Sequence, residues 1–248
     1  NNLKHTIPLV PNTTVTSLNH INNTLFAFVR YGYVYKYNLS KPYRETIKNI
    51  ASTIPFTKRF GEKILLLNKE TGFNVITEKD SYSLGCDDSG IPFSSDFTLI
   101  HDTLYVLIKS VLKSFSINYT SHHLKHIKSF TLDSLFENFK PVELLSKDNN
   151  LYLVTNTGII HFNPTTGFPT GYYYFGNYTK INSPVIVGDS LFWISNNSLT
   201  KISLKAIDNS HTNIDEKDIS LKYPESVNEN LGFKITINYP EYLIEQYT

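Results

Sequence analysis

The chain has 248 residues and a formal net charge of +1, from 23 basic and 22 acidic residues; 40% of it is hydrophobic and 18% charged. Basic residues spread without a block leave no stripe of the kind nucleic-acid binding needs. The lack of any run of 18 or more apolar residues predicts no membrane-spanning helix, and a lone Cys86 excludes a disulfide framework.

In chain order, His5-Thr-Ile-Pro-Leu-Val10 reads as a single strand. After it a phrase returns: a short apolar run, a polar turn, a second run opening on Leu or Ile, another turn, and a third run. The second runs open at Leu25, Ile64, Leu104, Leu151 and Leu191, separated by 39, 40, 47 and 40 residues. Turn-forming triplets precede each opening, such as Asp148-Asn149-Asn150 before Leu151, and a further turn follows at Gly32, Gly72, Ser110, Gly158 and Ser198. The runs are rich in Val, Ile, Tyr, Phe and Thr, which favours strands. The stretched interval holds Leu132-Asp-Ser-Leu-Phe-Glu-Asn-Phe139, with apolar residues at helical spacing, so two turns of helix are expected there. Leu231-Gly-Phe-Lys-Ile-Thr-Ile237 and Tyr242-Leu-Ile244 read as two closing strands.

A period of this length, with three or four strands per unit, predicts an all-β chain: a β-propeller of four-stranded antiparallel blades in a single domain, 1–248. Five full blades are visible. A sixth, composite blade would be closed by the N- and C-terminal strands, which removes the open sheet edge; a five-bladed ring or a piece of a longer array is the other reading.

The residues that could carry chemistry are few. Ser121-His122-His123-Leu124-Lys125-His126 places His122 and His126 on one side of a helix or strand, where they could share a metal, but no Cys or carboxylate stands at ligand spacing and Lys125 repels a cation. A solvated loop is the expected outcome. Asp87, Asp88, Asp96 and Asp102 form one acidic stretch, and Asp208, Asp215, Glu216 and Asp218 another in the long polar excursion from Ala206 to Asn230. Paired carboxylates are what a glycosidase would need. Cys86-Asp87-Asp88-Ser89-Gly90-Ile91-Pro92-Phe93 is similar to a degenerate Asp box of sialidase-type propellers, with Asp88, Gly90 and Phe93 in matching places. In that family the box is a structural turn, and the arginine triad would have to come from Arg30, Arg44 and Arg59, the only arginines. No Ser-His-Asp signature, phosphate loop, dinucleotide fingerprint or Cys-X-X-Cys pair occurs. No catalytic, cofactor-binding or metal-binding residue is therefore assigned, and no cofactor.

Six Asn-X-Ser/Thr sequons, at Asn12, Asn22, Asn38, Asn118, Asn177 and Asn196, are close to what chance gives in so Asn- and Ser/Thr-rich a chain. The absence of methionine is expected of a processed N-terminus or an excised fragment. Secretory and intracellular locations both stay open.

Pro184-Val-Ile-Val-Gly188-Asp189-Ser190-Leu191-Phe192 through Leu204, and Asp148 through Asn163-Pro164-Thr-Thr-Gly167, resemble the quinoprotein, or PQQ-like, propeller repeat, with weaker copies over residues 14 to 204. The docking tryptophans of that family are missing, Trp193 being the only one, and the chain is short for its eight-bladed dehydrogenases. The likeness implies a propeller fold, WD40-like in build, shared with assembly scaffolds and luminal sensors, without redox chemistry.

The resulting expectation is a non-catalytic scaffold for protein–protein interaction in a larger assembly, with a protein partner, no nucleic acid and an unknown small-molecule ligand. The alternative is a secreted or luminal carbohydrate-binding or glycoside-hydrolysing propeller. Tyr172 and Tyr174, from Tyr172-Tyr173-Tyr174-Phe175, are the candidate partner-binding residues, because Tyr is enriched at interface cores.

Overall fold

A computed structural model describes residues 14–30, 33–40, 44–47, 56–68, 72–88, 90–91, 94–132, 141–155, 158–174, 181–195 and 198–208. The chain divides into two compact units, Asn1–Thr131 and Leu132–Thr248.

Unit 1 begins with a four-stranded meander: β1 (Val15–Ile21), β2 (Thr24–Val29), β3 (Val34–Asn38) and β4 (Arg44–Ile47). Eight strands follow: β5 (Phe56–Phe60), β6 (Lys63–Asn68), β7 (Gly72–Ile76), β8 (Ser81–Cys86), β9 (Asp96–Ile100), β10 (Thr103–Ile108), β11 (Val111–Asn118) and β12 (His123–Thr131). They form one sheet in the order β5-β6-β7-β8-β12-β11-β10-β9. Unit 2 holds the meander β13 (Pro141–Lys147), β14 (Asn150–Thr155), β15 (Gly158–Asn163) and β16 (Phe168–Tyr174). Its last described elements are a three-stranded sheet, β17 (Asn182–Val187), β18 (Ser190–Ser195) and β19 (Ser198–Ser203), and a short helix α1 (Leu204–Asp208).

The same turn chemistry opens each sheet or half-sheet. The hairpins β1–β2, β5–β6, β9–β10, β13–β14 and β17–β18 place Asn22 (φ 49°), Gly61 (57°), His101 (52°), Asp148 (52°) and Gly188 (57°) at the first turn position. A positive φ there is what the tight hairpin turns I′ and II′ share, and Gly, Asn and Asp tolerate it. His101 is the exception in residue type.

The β-propeller, with its PQQ-like and WD40-like repeats, needs correction at the level of the sheets. The second and third sequence units are not separate four-stranded blades: β8 and β12 pair in parallel through His123↔Gly85 and Leu124↔Cys86, merging them into one eight-stranded sheet. That sheet folds over until its edge strands meet. Lys58 of β5 bonds Asp96 of β9 at 2.8 Å, and the Phe56 and Phe97 rings stand edge to face at 5.4 Å. The result is a barrel-like, near-closed sheet; the other sheets of the chain are smaller, and the last of them has three strands among the described residues. A period along the chain records hairpins. It carries no signal for the lateral edge pairing that joins β8 to β12, where Gly85 N–H donates to His122 C=O at 2.8 Å. The scaffold and glycosidase readings rested on the propeller and are withdrawn with it. The strands expected at His5–Val10, Leu231–Ile237 and Tyr242–Ile244 lie outside the described residues, as does the helix expected at Leu132–Phe139 beyond its first residue.

Inside the folded-over sheet, Leu65, Leu67, Phe73, Val75, Leu84, Ile91, Phe97, Leu104, Val106, Phe115, Ile117 and Leu124 form one apolar core. Fully burying each large side chain contributes about 1.5–3 kcal/mol before chain entropy is subtracted. Ile64, Leu66 and Ile76, on the opposite face of β6 and β7, pack with Ile21, Phe26, Phe28 and Val34 of the first meander. In unit 2, Tyr152, Val154, Ile159, Leu191, Trp193 and Ile202 make the core, closed by Leu204, Ala206 and Ile207 of α1. Among the described residues no helix is long and apolar enough to cross a membrane.

Candidate functional site

The junction of β8 and β12 gathers several groups of chemical interest in unit 1. Tyr82 of β8 stacks on His122 with ring centroids 4.0 Å apart and planes inclined by 12°. His123 Nε2 lies 3.8 Å from the Asp87 carboxylate. Lys63 Nζ sits 3.5 Å over the Tyr119 ring, and burial, with Asp102 and Tyr82 adding to it, pushes the Tyr119 hydroxyl up to about 12. Burial also raises the Cys86 thiol, so it stays protonated and weakly nucleophilic at neutral pH.

The turn that the Asp-box likeness singled out is built around Asp88. Its Oδ1 accepts from Gly90 N–H at 2.9 Å and its Oδ2 from Lys113 Nζ at 2.5 Å. Burial alone would raise this carboxyl; the Lys113 ammonium and the Gly90 amide outweigh it and hold the group below the usual aspartate range. Asp88 thereby pins the loop after β8 to β11, a structural task.

The three histidines do not converge. His122 stacks on Tyr82, His123 faces Asp87, and His126 meets Ser129 Oγ at 2.9 Å and the Phe115 ring edge-on at 5.5 Å. Among the described residues no three His, Cys, Asp or Glu side chains are grouped so that they could hold a metal ion. Asp96 is 1% exposed and held by Lys58. Arg59 lies beside His20, its guanidinium 3.3 Å from the ring nitrogens. Asp215, Glu216 and Asp218, and the Arg44 side chain, lie outside the described residues.

Two surfaces stand out that the sequence reading did not single out. The first is β12 itself, whose Lys125, His126, Ile127, Lys128 and Ser129 are exposed in succession. β11 matches Phe115 with His126 and Ser114 with Lys128, so Ile127 is the extra residue of a β-bulge, and it is 55% exposed. A bulge re-aims side chains and twists the strand, and here it turns an aliphatic side chain outward between two lysines. The second is one face of the last sheet, where Val185, Val187, Ile194 and Leu199 are 49%, 60%, 47% and 72% exposed.

Tyr172 and Tyr174 lie on β16, the edge strand of the third sheet, opposite Ile160 and Gly158. Tyr172 is half-buried, and a Cβ on Gly158 would come within 3.0 Å of its ring. The glycine thus makes room for that ring. The Tyr174 side chain lies outside the described residues.

No family model matches the chain, and no curated protein matches it. The resemblance to the quinoprotein repeat accordingly finds no support there. Solved structures do match at low identity. The computationally designed Ika8 protein is similar at a TM-score of 0.56 and 9% identity, covering 77% of this chain and 59% of its own. The Neurospora crassa Pan2 WD40 domain gives a TM-score of 0.56 at 9% identity, covering 79% and 64%. The extracellular domain of the putative one component system BT4673 from B. thetaiotaomicron gives 0.53 at 16%, covering 78% and 29%. The chain thus spans under two thirds of the length of each. Such likeness concerns the course of the strands alone.

Proposed function

We propose that the chain binds a protein partner through the exposed strip of β12, and that the partner presents an acidic segment carrying an apolar residue. The observation that supports this is the run Lys125-His126-Ile127-Lys128, exposed on a strand whose core contacts are left to Leu124 and Phe130. The pairing of β12 with β8 covers His123 and Leu124, and lysines along the rest of such a strand edge discourage neutral strands from pairing there. A partner of opposite charge is attracted instead, so the same lysines that reject indiscriminate association supply selectivity. Ile127, turned outward by the bulge, gives such a partner an apolar contact at the centre of the charged strip.

The test is a titration of the full chain with a short synthetic peptide alternating Val and Glu, followed by NMR shifts of the β12 amides. Binding that weakens with added salt, and falls about tenfold or more in Lys125→Glu/Lys128→Glu while the unfolding midpoint stays put, is expected. Equal binding by that variant, or equal binding of an alternating Val and Lys peptide, would overturn the reading. Tyr172 and Tyr174 remain a proposed second contact, on unit 2, to be tested by Tyr174→Ser with the same readout.

A further inference from the structure

Two of the β12 histidines stand beside two consecutive aspartates. β8 leaves β12 after the pairs His123↔Gly85 and Leu124↔Cys86, and the next residues of that segment are Asp87 and Asp88. His123 Nε2 lies 3.8 Å from the Asp87 carboxylate, which is 99% exposed. His126 is exposed, meets Ser129 Oγ and the Phe115 ring, and lies within electrostatic reach of Asp88.

The charged groups around these two rings come from three elements. The segment after β8 supplies Asp87 and Asp88, β11 supplies Lys113, bonded to Asp88 at 2.5 Å, and β12 supplies Lys125 and Lys128. Lys113 and Lys125 are matched in number by the two aspartates. While both imidazoles are neutral, an acidic segment approaching this stretch therefore meets repulsion from Asp87 and Asp88 as well as attraction from the lysines.

Imidazole is the side chain that gains a proton between pH 8 and 5. Protonated His123 acts on Asp87 beside it and offsets its repulsion of an incoming carboxylate; protonated His126 adds a cation inside the strip itself. His122 is different. It is stacked on Tyr82, roughly 13 Å before His126 along an extended chain, beyond the Debye length of about 8 Å at physiological salt.

We propose that the β12 strip is an acid-strengthened binding site, in which protonation of His123 and His126 raises its affinity for the acidic partner. Such regulation rests on the β12 reading above and adds its pH dependence.

The experiment titrates the full chain at about pH 7.5 and about pH 5.5, either side of the ordinary histidine range, with a peptide alternating Val and cysteic acid. Its sulfonates stay ionised at both values, so only the protein changes charge. Binding about three- to tenfold tighter at the lower pH is expected. In His123→Gln/His126→Gln the affinity ratio between the two pH values is expected to fall to near one, whereas His122→Gln keeps the wild-type ratio. Asp87→Asn, at an exposed side chain, is expected to tighten binding at the higher pH and to shrink the ratio. Unfolding midpoints at both pH values confirm that each variant is folded. Binding of equal affinity at the two pH values overturns the acid strengthening and leaves β12 as the binding strand, and a gain that persists in the double variant overturns the role of these two histidines. No binding at either pH overturns the β12 reading and the regulation with it.

Discussion

Lys58 on β5 and Asp96 on β9 form an ion pair at 2.8 Å between the two edge strands of the eight-stranded sheet, with Asp96 1% exposed and Lys58 flanked by the Phe56 and Phe97 rings. The pair marks where the folded-over sheet meets itself. Removing one partner leaves a buried charge poorly compensated, so Lys58→Met is expected to destabilise unit 1 by about 3 kcal/mol. Asp96→Asn combined with Lys58→Met should cost clearly less than the sum of the two single changes, because the charge is then gone. Urea unfolding of the four proteins checks this, and additive costs would show that the edges do not communicate through this contact.

A second expectation concerns acid. The folded Asp88 carboxyl lies below the ordinary aspartate value because Lys113 and the Gly90 amide outweigh burial. Its contribution to stability is then fully present above the unfolded-chain value and is lost as pH falls through the lower folded one. Asp88→Asn should flatten the stability profile below roughly pH 4 while lowering the plateau above it. Profiles that run parallel from neutral pH into acid would contradict the assigned role of Lys113.

Gly158 is held to its identity by space. A Cβ there would collide with the Tyr173 carbonyl oxygen and lie 2.9 Å from Tyr172 Oη. Gly158→Ala is expected to cost about 1–3 kcal/mol, read from denaturant unfolding, since backbone on β16 would have to move. Pairing it with Tyr172→Ala should recover only part, because the Tyr173 carbonyl remains in the way.

The helix α1 closes the core of unit 2 with Ile207, which is fully buried, near Trp193, which is 3% exposed. Ile207→Ala should cost about 2–5 kcal/mol and leave a cavity beside that core. Trp193 is the only tryptophan, so its emission reports on unit 2 alone: blue-shifted in the native chain, with its thermal transition moved to lower temperature in the variant. An unchanged transition would mean that α1 is not part of the cooperative core.

What the sequence discloses and what it hides divide along physical lines. Hairpins are local, so Asn22, Gly61, Asp148 and Gly188 announce the turns at which they stand, and the openings at Leu25, Ile64, Leu104, Leu151 and Leu191 all fall at the start of second strands. His101 takes the same positive φ, and its turn shows in the sequence through the polar triplet His101-Asp102-Thr103 rather than through a glycine or asparagine. The parallel joint at Gly85 and His123 is invisible, for edge pairing between distant strands leaves no periodic mark and Gly85 reads as an ordinary strand glycine. The assumption that every sheet has both faces covered concealed Val185 and Leu199 as an open surface. At β12, the histidines drew notice for metal chemistry, whereas the exposure of Lys125, Ile127 and Lys128 depends on a bulge that only the β11 register defines. The helix at Leu204–Asp208 is shorter than any window in which helical spacing can be recognised.

The central claim, that β12 is the binding strand, is tested most directly by amide hydrogen exchange of the full chain with and without the alternating Val and Glu peptide. Added protection concentrated at Lys125–Ser129, absent in Lys125→Glu/Lys128→Glu, is the predicted result. Protection elsewhere with none on β12, or none at saturating peptide, would contradict it.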